Sequence, residues 1–166
     1  LKPYDQENDS YRQPVPLVKL MPYKVSSLNF AGDSAPESMK YRTEMMAWTP
    51  RVVDEVNVEN SDVVFVGYGI VAPEYDWNDY EGLDVEGKTV VMLVNDPGYA
   101  TGDSELFNGN AMTYYGRWTY KYEEAARQGA KAAFVIHETG PAGYGWGVVA
   151  GGSPVRFDLK RENKNM

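Results

Sequence analysis

The sequence predicts an α+β domain, a mixed or β-barrel-like sheet carrying one βαβ crossover. Three observations predict it. The run Thr89–Val94 has no polar alternation beyond Thr89, as in a strand buried on both faces. Tyr115, Trp118, Tyr122, Ala125 and Ala126 recur on one face of a helix. A second apolar run, Ala132–Ile136, follows at once and reads as another inner strand. Strand, helix and strand in this order make a crossover with parallel pairing.

The other elements follow along the chain. Residues 1–13 are polar and without period, an arm or loop. Val15–Val25 is apolar but interrupted by Pro16 and Pro22, so it is an edge strand or two short pieces. Asn29–Ser38 carries turn residues. Met39–Trp48 alternates and reads as a half-exposed strand. Val52–Val58 alternates as well, and Asn60-Ser61 would turn it into a hairpin with Val63–Val66. Pro73–Gly82 and residues 98–111 read as loops. The helix begins somewhere between Met112 and Arg117 and stops at Gly129, with Glu123 and Arg127 placed for an i,i+4 pair. Gly140–Gly152 is rich in glycine, a flexible or tightly turned loop anchored by Tyr144 and Trp146. Arg156–Leu159 makes a last short strand. The division expected is an arm with edge strands over 1–38, a domain over 39–159 and a charged linker stump over 160–166.

Composition narrows the function classes. The chain has 166 residues, no cysteine, and 24 acidic against 16 basic side chains, a net charge of −8. Disulfides and thiolate metal sites are excluded. So acidic a surface repels phosphate, so neither nucleic acid nor an anionic membrane is an expected partner. No apolar stretch approaches the ~20 residues of a membrane-spanning helix. The start at Leu1-Lys2-Pro3 has no initiator methionine and reads as an excised fragment.

The chemical motifs are few. Gly67-x-Gly69-x-x-Ala72 follows an apolar strand and matches a dinucleotide fingerprint, but Pro73 and Glu74-Tyr75-Asp76-Trp77 offer no helix to face a pyrophosphate. The glycines then read as a bend where the strand leaves the sheet. His137 is the only histidine, too few for the usual zinc site, and neither an H-E-x-x-H nor a G-x-S-x-G motif is present; it reads as a strand-end imidazole bonded locally. The carboxylates Glu74, Asp76, Asp79, Glu81, Asp84, Glu86, Asp96, Asp103 and Glu105 could hide a glycosidase pair, but spacing does not single one out. Asp103-x-Glu105-x-x-Asn108-x-Asn110 offers oxygen ligands for calcium without the EF-hand order. Among the many aromatics, Tyr114, Tyr120, Tyr144 and Trp146 lie off the expected core face or in loops, and Trp77 and Tyr80 sit in a loop that packs or docks.

Five phrases carry a family resemblance: Val64-Phe65-Val66-Gly67-Tyr68-Gly69-Ile70, Ala72-Pro73-Glu74-Tyr75-Asp76-Trp77-Asn78-Asp79-Tyr80, Gly87-Lys88-Thr89-Val90-Val91, Asn95-Asp96-Pro97-Gly98 and Tyr120-Lys121-Tyr122-Glu123-Glu124-Ala125-Ala126-Arg127-Gln128-Gly129-Ala130. Together, over about Asp62 to Leu159, they resemble the protease-associated domain inserted in bacterial secreted zinc aminopeptidases. Leu1-Lys2-Pro3 and Gln13-Pro14-Val15-Pro16-Leu17-Val18 are similar to the segment leaving the first catalytic helices of such enzymes. The resemblance implies a small β-barrel or sandwich with flanking helices, acting as a lid or as a substrate or partner interaction module. It implies a secreted parent, extracellular or periplasmic. It also implies that zinc and every catalytic residue lie in a peptidase domain of the same polypeptide, so this chain alone carries none. The expected partners are that catalytic domain and a peptide or protein substrate, and the expected contact residues are Tyr114, Tyr144, Trp146, Trp77 and Tyr80, in loops 73–82, 98–114 and 140–152. The alternative is a stand-alone peptide- or glycan-binding module.

Overall fold

The computed structural model describes residues 2–5, 7–32 and 38–160. Part of the expected turn Asn29–Ser38, and all of the linker stump but Lys160, lie outside the described residues. In chain order the elements are β1 (Leu17–Leu20), β2 (Val63–Phe65), β3 (Val71–Ala72), β4 (Trp77–Asn78), β5 (Thr89–Leu93), α1 (Pro97–Thr101), α2 (Trp118–Arg127), β6 (Ala132–Ile136), α3 (Thr139–Ala142), α4 (Trp146–Gly151) and β7 (Arg156–Leu159). The architecture is mixed α and β, with three small sheets and no closed barrel among the described residues. No helix among them is long and apolar enough to cross a membrane. Two compact units are present, Leu1–Asp54 with Ala150–Asn165, and Glu55–Val149.

In the first unit β1 lies between Pro16 and Pro22 and pairs antiparallel with β7, Leu17 opposite Leu159. The Arg42 guanidinium donates to the carbonyl of Ala150 at 3.0 Å, and Arg156 stacks 4.8 Å from the Trp48 ring. The expected strand Met39–Trp48 does not form. Arg42 takes φ of +70°, and the Glu44 amide and carboxylate close the chain back onto Lys40, so the segment is a tight turn. Met45 turns inward and is buried, Thr43 is exposed, and the only pairing outward from the turn among the described residues is the single bridge of Met39 with Leu28.

The second unit is built on a three-stranded parallel sheet in the order β2-β5-β6. Val63 stands opposite Thr89, and Thr89 opposite Ala132. The expected hairpin between Val52–Val58 and β2 is absent: every residue from Arg51 to Asn60 is exposed and none is in a strand. β2 instead pairs parallel with β5, an arrangement that puts Val64 and Val66 into the core. The central place of β5 agrees with its unbroken apolar run. β6, expected as an inner strand, is an edge strand, paired on one side only. The crossover β5–α2–β6 is present as expected. Gly129, with φ of +79°, follows the end of α2, and its carbonyl accepts the Gly87 amide at 2.8 Å.

One face of this sheet presents Val64, Val66, Val90, Met92, Ala133 and Val135 to Ala125 of α2, Val85 and Tyr80. Partial or full burial of so many aliphatic side chains is the main stabilising contribution, about 25 cal/mol per Å² of apolar surface withdrawn. The opposite face carries Val63, Phe65, Val91, Leu93, Phe134 and Ile136 by register and alternation. Phe65 remains 58% exposed, Val63 51% and Ile136 42%. Parallel sheets are nearly always covered on both faces, and here Val91, Leu93 and Phe134 are half-buried, so the exposure is confined to Val63, Phe65 and Ile136.

The supposed loops hold further structure. Pro73–Tyr75 is a 3-10 turn between β3 and β4, which form a short antiparallel ladder. Residues 98–111 are not merely polar: Phe107 is wholly buried, stacked on Tyr75 at 4.2 Å and edge-on to Trp77 and Tyr115. With Ile70, Ala72 and Tyr120 it forms a second core. Gly140–Gly152, expected as loop, contains α3 and α4.

Candidate functional site

The carboxyl ends of β2, β5 and β6 lead into a cluster of polar side chains within the second unit. In open α/β sheets this edge is where ligands bind. After β2 comes the turn Gly67–Ile70, with φ of +54° at Gly67 and +65° at Gly69. These are left-handed values that glycine adopts without strain. The turn exposes its amides inward, and Asp79 fills them: its Oδ2 accepts from Tyr68 N at 3.2 Å and from Ile70 N at 3.0 Å. A methyl group added at Gly67 would meet Asp79 Oδ1 at 2.8 Å, which is a second reason for glycine there. The fingerprint-like glycines thus cradle an internal carboxylate where a nucleotide site would hold phosphate. Burial pushes the Asp79 carboxyl above its ordinary range, against the opposing pull of those amides and of Lys121.

Lys121 enters the same place from α2. Its side chain has no solvent exposure, and Nζ donates to the carbonyl of Tyr68. Burial depresses its pKa from 10.5 to about 7, although Asp79 and Asp96 both favour the charged form. The neighbouring Tyr120 hydroxyl accepts from Val71 N at 3.1 Å and donates to Val71 O at 3.0 Å, so α2 grips the segment Tyr68–Val71 at two successive residues.

After β5, Asn95 donates to the carbonyl of Pro141 at 2.8 Å. Asp96, fully buried, accepts at Oδ2 from the amide and hydroxyl of Thr113 at 2.9 and 2.7 Å. Its Oδ1 has no partner among the described residues. After β6 comes His137, whose two ring nitrogens are buried and likewise unpartnered among those residues. The expected local hydrogen bond is therefore missing. Each such group costs about 1–3 kcal/mol if left unsatisfied. The rings of Tyr144 and Trp146 lie 5.4 and 5.9 Å from that of His137, and Trp118 lies 6.1 Å from Tyr144.

The expected contact residues thus fall into three places. Tyr144 and Trp146 are brought together around His137. Trp77 and Tyr114 belong to the aromatic chain that runs through Phe107, Tyr115 and Tyr120. In that chain Trp77 is half-buried, while Tyr114 is 55% exposed and donates its hydroxyl to Glu123 at 3.2 Å. Tyr80 is buried in the first core, 5% exposed, and burial raises its hydroxyl pKa.

The helix departs from its expected face. Tyr120, Lys121, Glu124 and Ala125 are the buried positions, while Ala126 is exposed. Tyr120, expected at the surface, is only 5% exposed. Glu123 does not take Arg127; Arg127 pairs with Glu124 at 2.7 Å, where a largely buried carboxylate also accepts from Gln128. Lys121 and Glu124 are the polar residues that sequence reasoning missed, because helical periodicity counts charged residues as outward.

Of the carboxylates weighed as a hydrolytic pair, only Asp79 and Asp96 are withdrawn from solvent, and both are bonded to the chain's own amides. In the calcium-like stretch the Asp103 carboxylate accepts from Glu105 N. Among the described residues no three histidine or carboxylate side chains gather as a metal site. Comparison with family models, with curated proteins and with solved structures finds no match for this chain.

Proposed function

We propose that this chain is a non-catalytic interaction module, a protease-associated domain serving a secreted zinc aminopeptidase as lid or docking element. The reading rests on the resemblance of the segments around Gly87–Val91 and Tyr120–Ala130, which form the start of the central strand and the helix leading to β6.

The observation that carries it is the exposure of Phe65, Val63 and Ile136 on the outer face of the parallel sheet. Large apolar side chains left exposed on one sheet face of an acidic protein suit a docking surface. The polar groups of the strand ends supply a complementary argument. Asp79, Asp96, Lys121 and Asn95 hold the chain's own loops, so their evident work is structural.

On this reading the outer face docks on the peptidase domain of the same polypeptide, which holds the zinc. The purified chain, supplied with zinc, should release no nitroaniline from aminoacyl-nitroanilides. Zinc-dependent release that tracks the pure chain would overturn the proposal.

A further inference from the structure

We propose that His137, Tyr144 and Trp146 form a closable binding site for a neutral saccharide ring. The inference does not depend on the docking reading, which concerns Val63, Phe65 and Ile136.

Three features carry it. The first is the imidazole itself. A neutral imidazole has one donor and one acceptor, and both nitrogens of His137 are buried without a partner among the described residues. A ligand that satisfies both must offer a donor and an acceptor together, as neighbouring hydroxyls do. The second is the surroundings. The rings beside His137 are an indole and a phenol, flat apolar planes with polar edges. A pyranose has the matching form, an apolar face bordered by hydroxyls. No charge sits on those two rings, which favours a neutral sugar over an ionic one.

The third is the segment that carries them. Gly143 and Gly145 flank Tyr144 in the link between α3 and α4, while Trp146 opens α4 and Gly147 follows it within that helix. A methyl group added at any of the three would meet nothing within 4 Å, so close packing does not require glycine there. What glycine supplies is backbone freedom. Gly143 uses it, with φ of +81° at the end of α3. The two aromatic planes are therefore carried by a flap, the link between α3 and α4 together with the first residue of α4, and swinging it outward about Gly143 opens the nitrogens to a ligand.

His137 is the chain's single histidine, so its side-chain nitrogen resonances are assigned without ambiguity. The test follows those resonances while maltotriose, cellotriose or triacetylchitotriose is added to about 10 mM, with the tripeptide Ala-Tyr-Ala as a parallel probe. The expected result is a saturable shift with at least one saccharide. Affinity should fall about tenfold or more in Trp146→Ala and in Tyr144→Ala, and stay unchanged in Phe157→Ser. Reading two flap variants keeps the test decisive if one of them disturbs folding. No saturable shift with any of the three saccharides would overturn the proposal. So would a shift that survives both flap substitutions, or saturation by the tripeptide alone.

Discussion

Lys121 is buried without solvent exposure and donates a hydrogen bond from Nζ to the carbonyl oxygen of Tyr68, while Asp79 accepts one from the amide of that same residue. One peptide unit on each side of Tyr68 is thus held by an ionisable group drawn from elsewhere in the chain. The grip fixes α2 against the turn that closes β2, and so sets how the crossover packs on the sheet.

Removing the acidic half of this grip has a definite consequence. Asp79→Ala leaves two inward amides without an acceptor, and the variant should lose about 2–4 kcal/mol of unfolding free energy. Hydrogen exchange at Tyr68 and Ile70 should accelerate before that of β5. Equal acceleration across the whole sheet would mean that Asp79 does not act locally.

The basic half gives a pH signature. Lys121 in the folded chain has a pKa of about 7 against an ordinary 10.5, so between these values the unfolded chain holds a proton that the folded chain has released. Stability should therefore rise with pH above about 7, by at most about 1.4 kcal/mol per unit. Below pH 7 both states are protonated and this group adds no further change. The raised tyrosines, Tyr68 and Tyr120 among them, oppose the trend only near their own ordinary value of 10. Denaturant titrations between pH 7 and about 9.5 should show the slope in the parent and not in Lys121→Met, where Asp79 and Asp96 keep their amide partners. An identical slope in both would refute the assignment.

Phe107 is the largest side chain fully buried in the second core, beside Ile70, Ala72 and Tyr120, and its ring meets those of Tyr75, Trp77 and Tyr115. Phe107→Ala should cost about 3–5 kcal/mol by thermal or denaturant unfolding. A loss below about 1 kcal/mol would show that the loop carrying it folds independently of the core.

Much of the second unit was legible from residue pattern. The unbroken apolar run of β5 announced a central strand, and the spacing of Trp118 and Ala125 announced α2. Pro16 and Pro22 bracketed β1. Proline after Gly67-x-Gly69 argued against a helix opening there, and the turn leads into a 3-10 turn and a short ladder. Alternation misled where no partner strand was available: Met39–Trp48 and Val52–Val58 have the period of strands, but pairing is a property of the neighbour as well as of the segment. The helix face was misplaced because Lys121 and Glu124 are buried through hydrogen bonds, a compensation invisible to hydrophobic spacing. The gathering of Tyr144 and Trp146 around His137 joins a strand end to a glycine-rich segment, and only the fold brings them together.

The outer sheet face offers the most direct measurement. Phe65 is 58% exposed and Ile136 42%, so Phe65→Asp and Ile136→Asp should leave the stability of the chain within about 1 kcal/mol of the parent. On the proposed docking to a peptidase domain, the same substitutions should weaken binding by about tenfold or more in calorimetry, because they place a carboxylate on the proposed apolar contact. Undiminished affinity in both variants would contradict the assignment of this face as the docking surface.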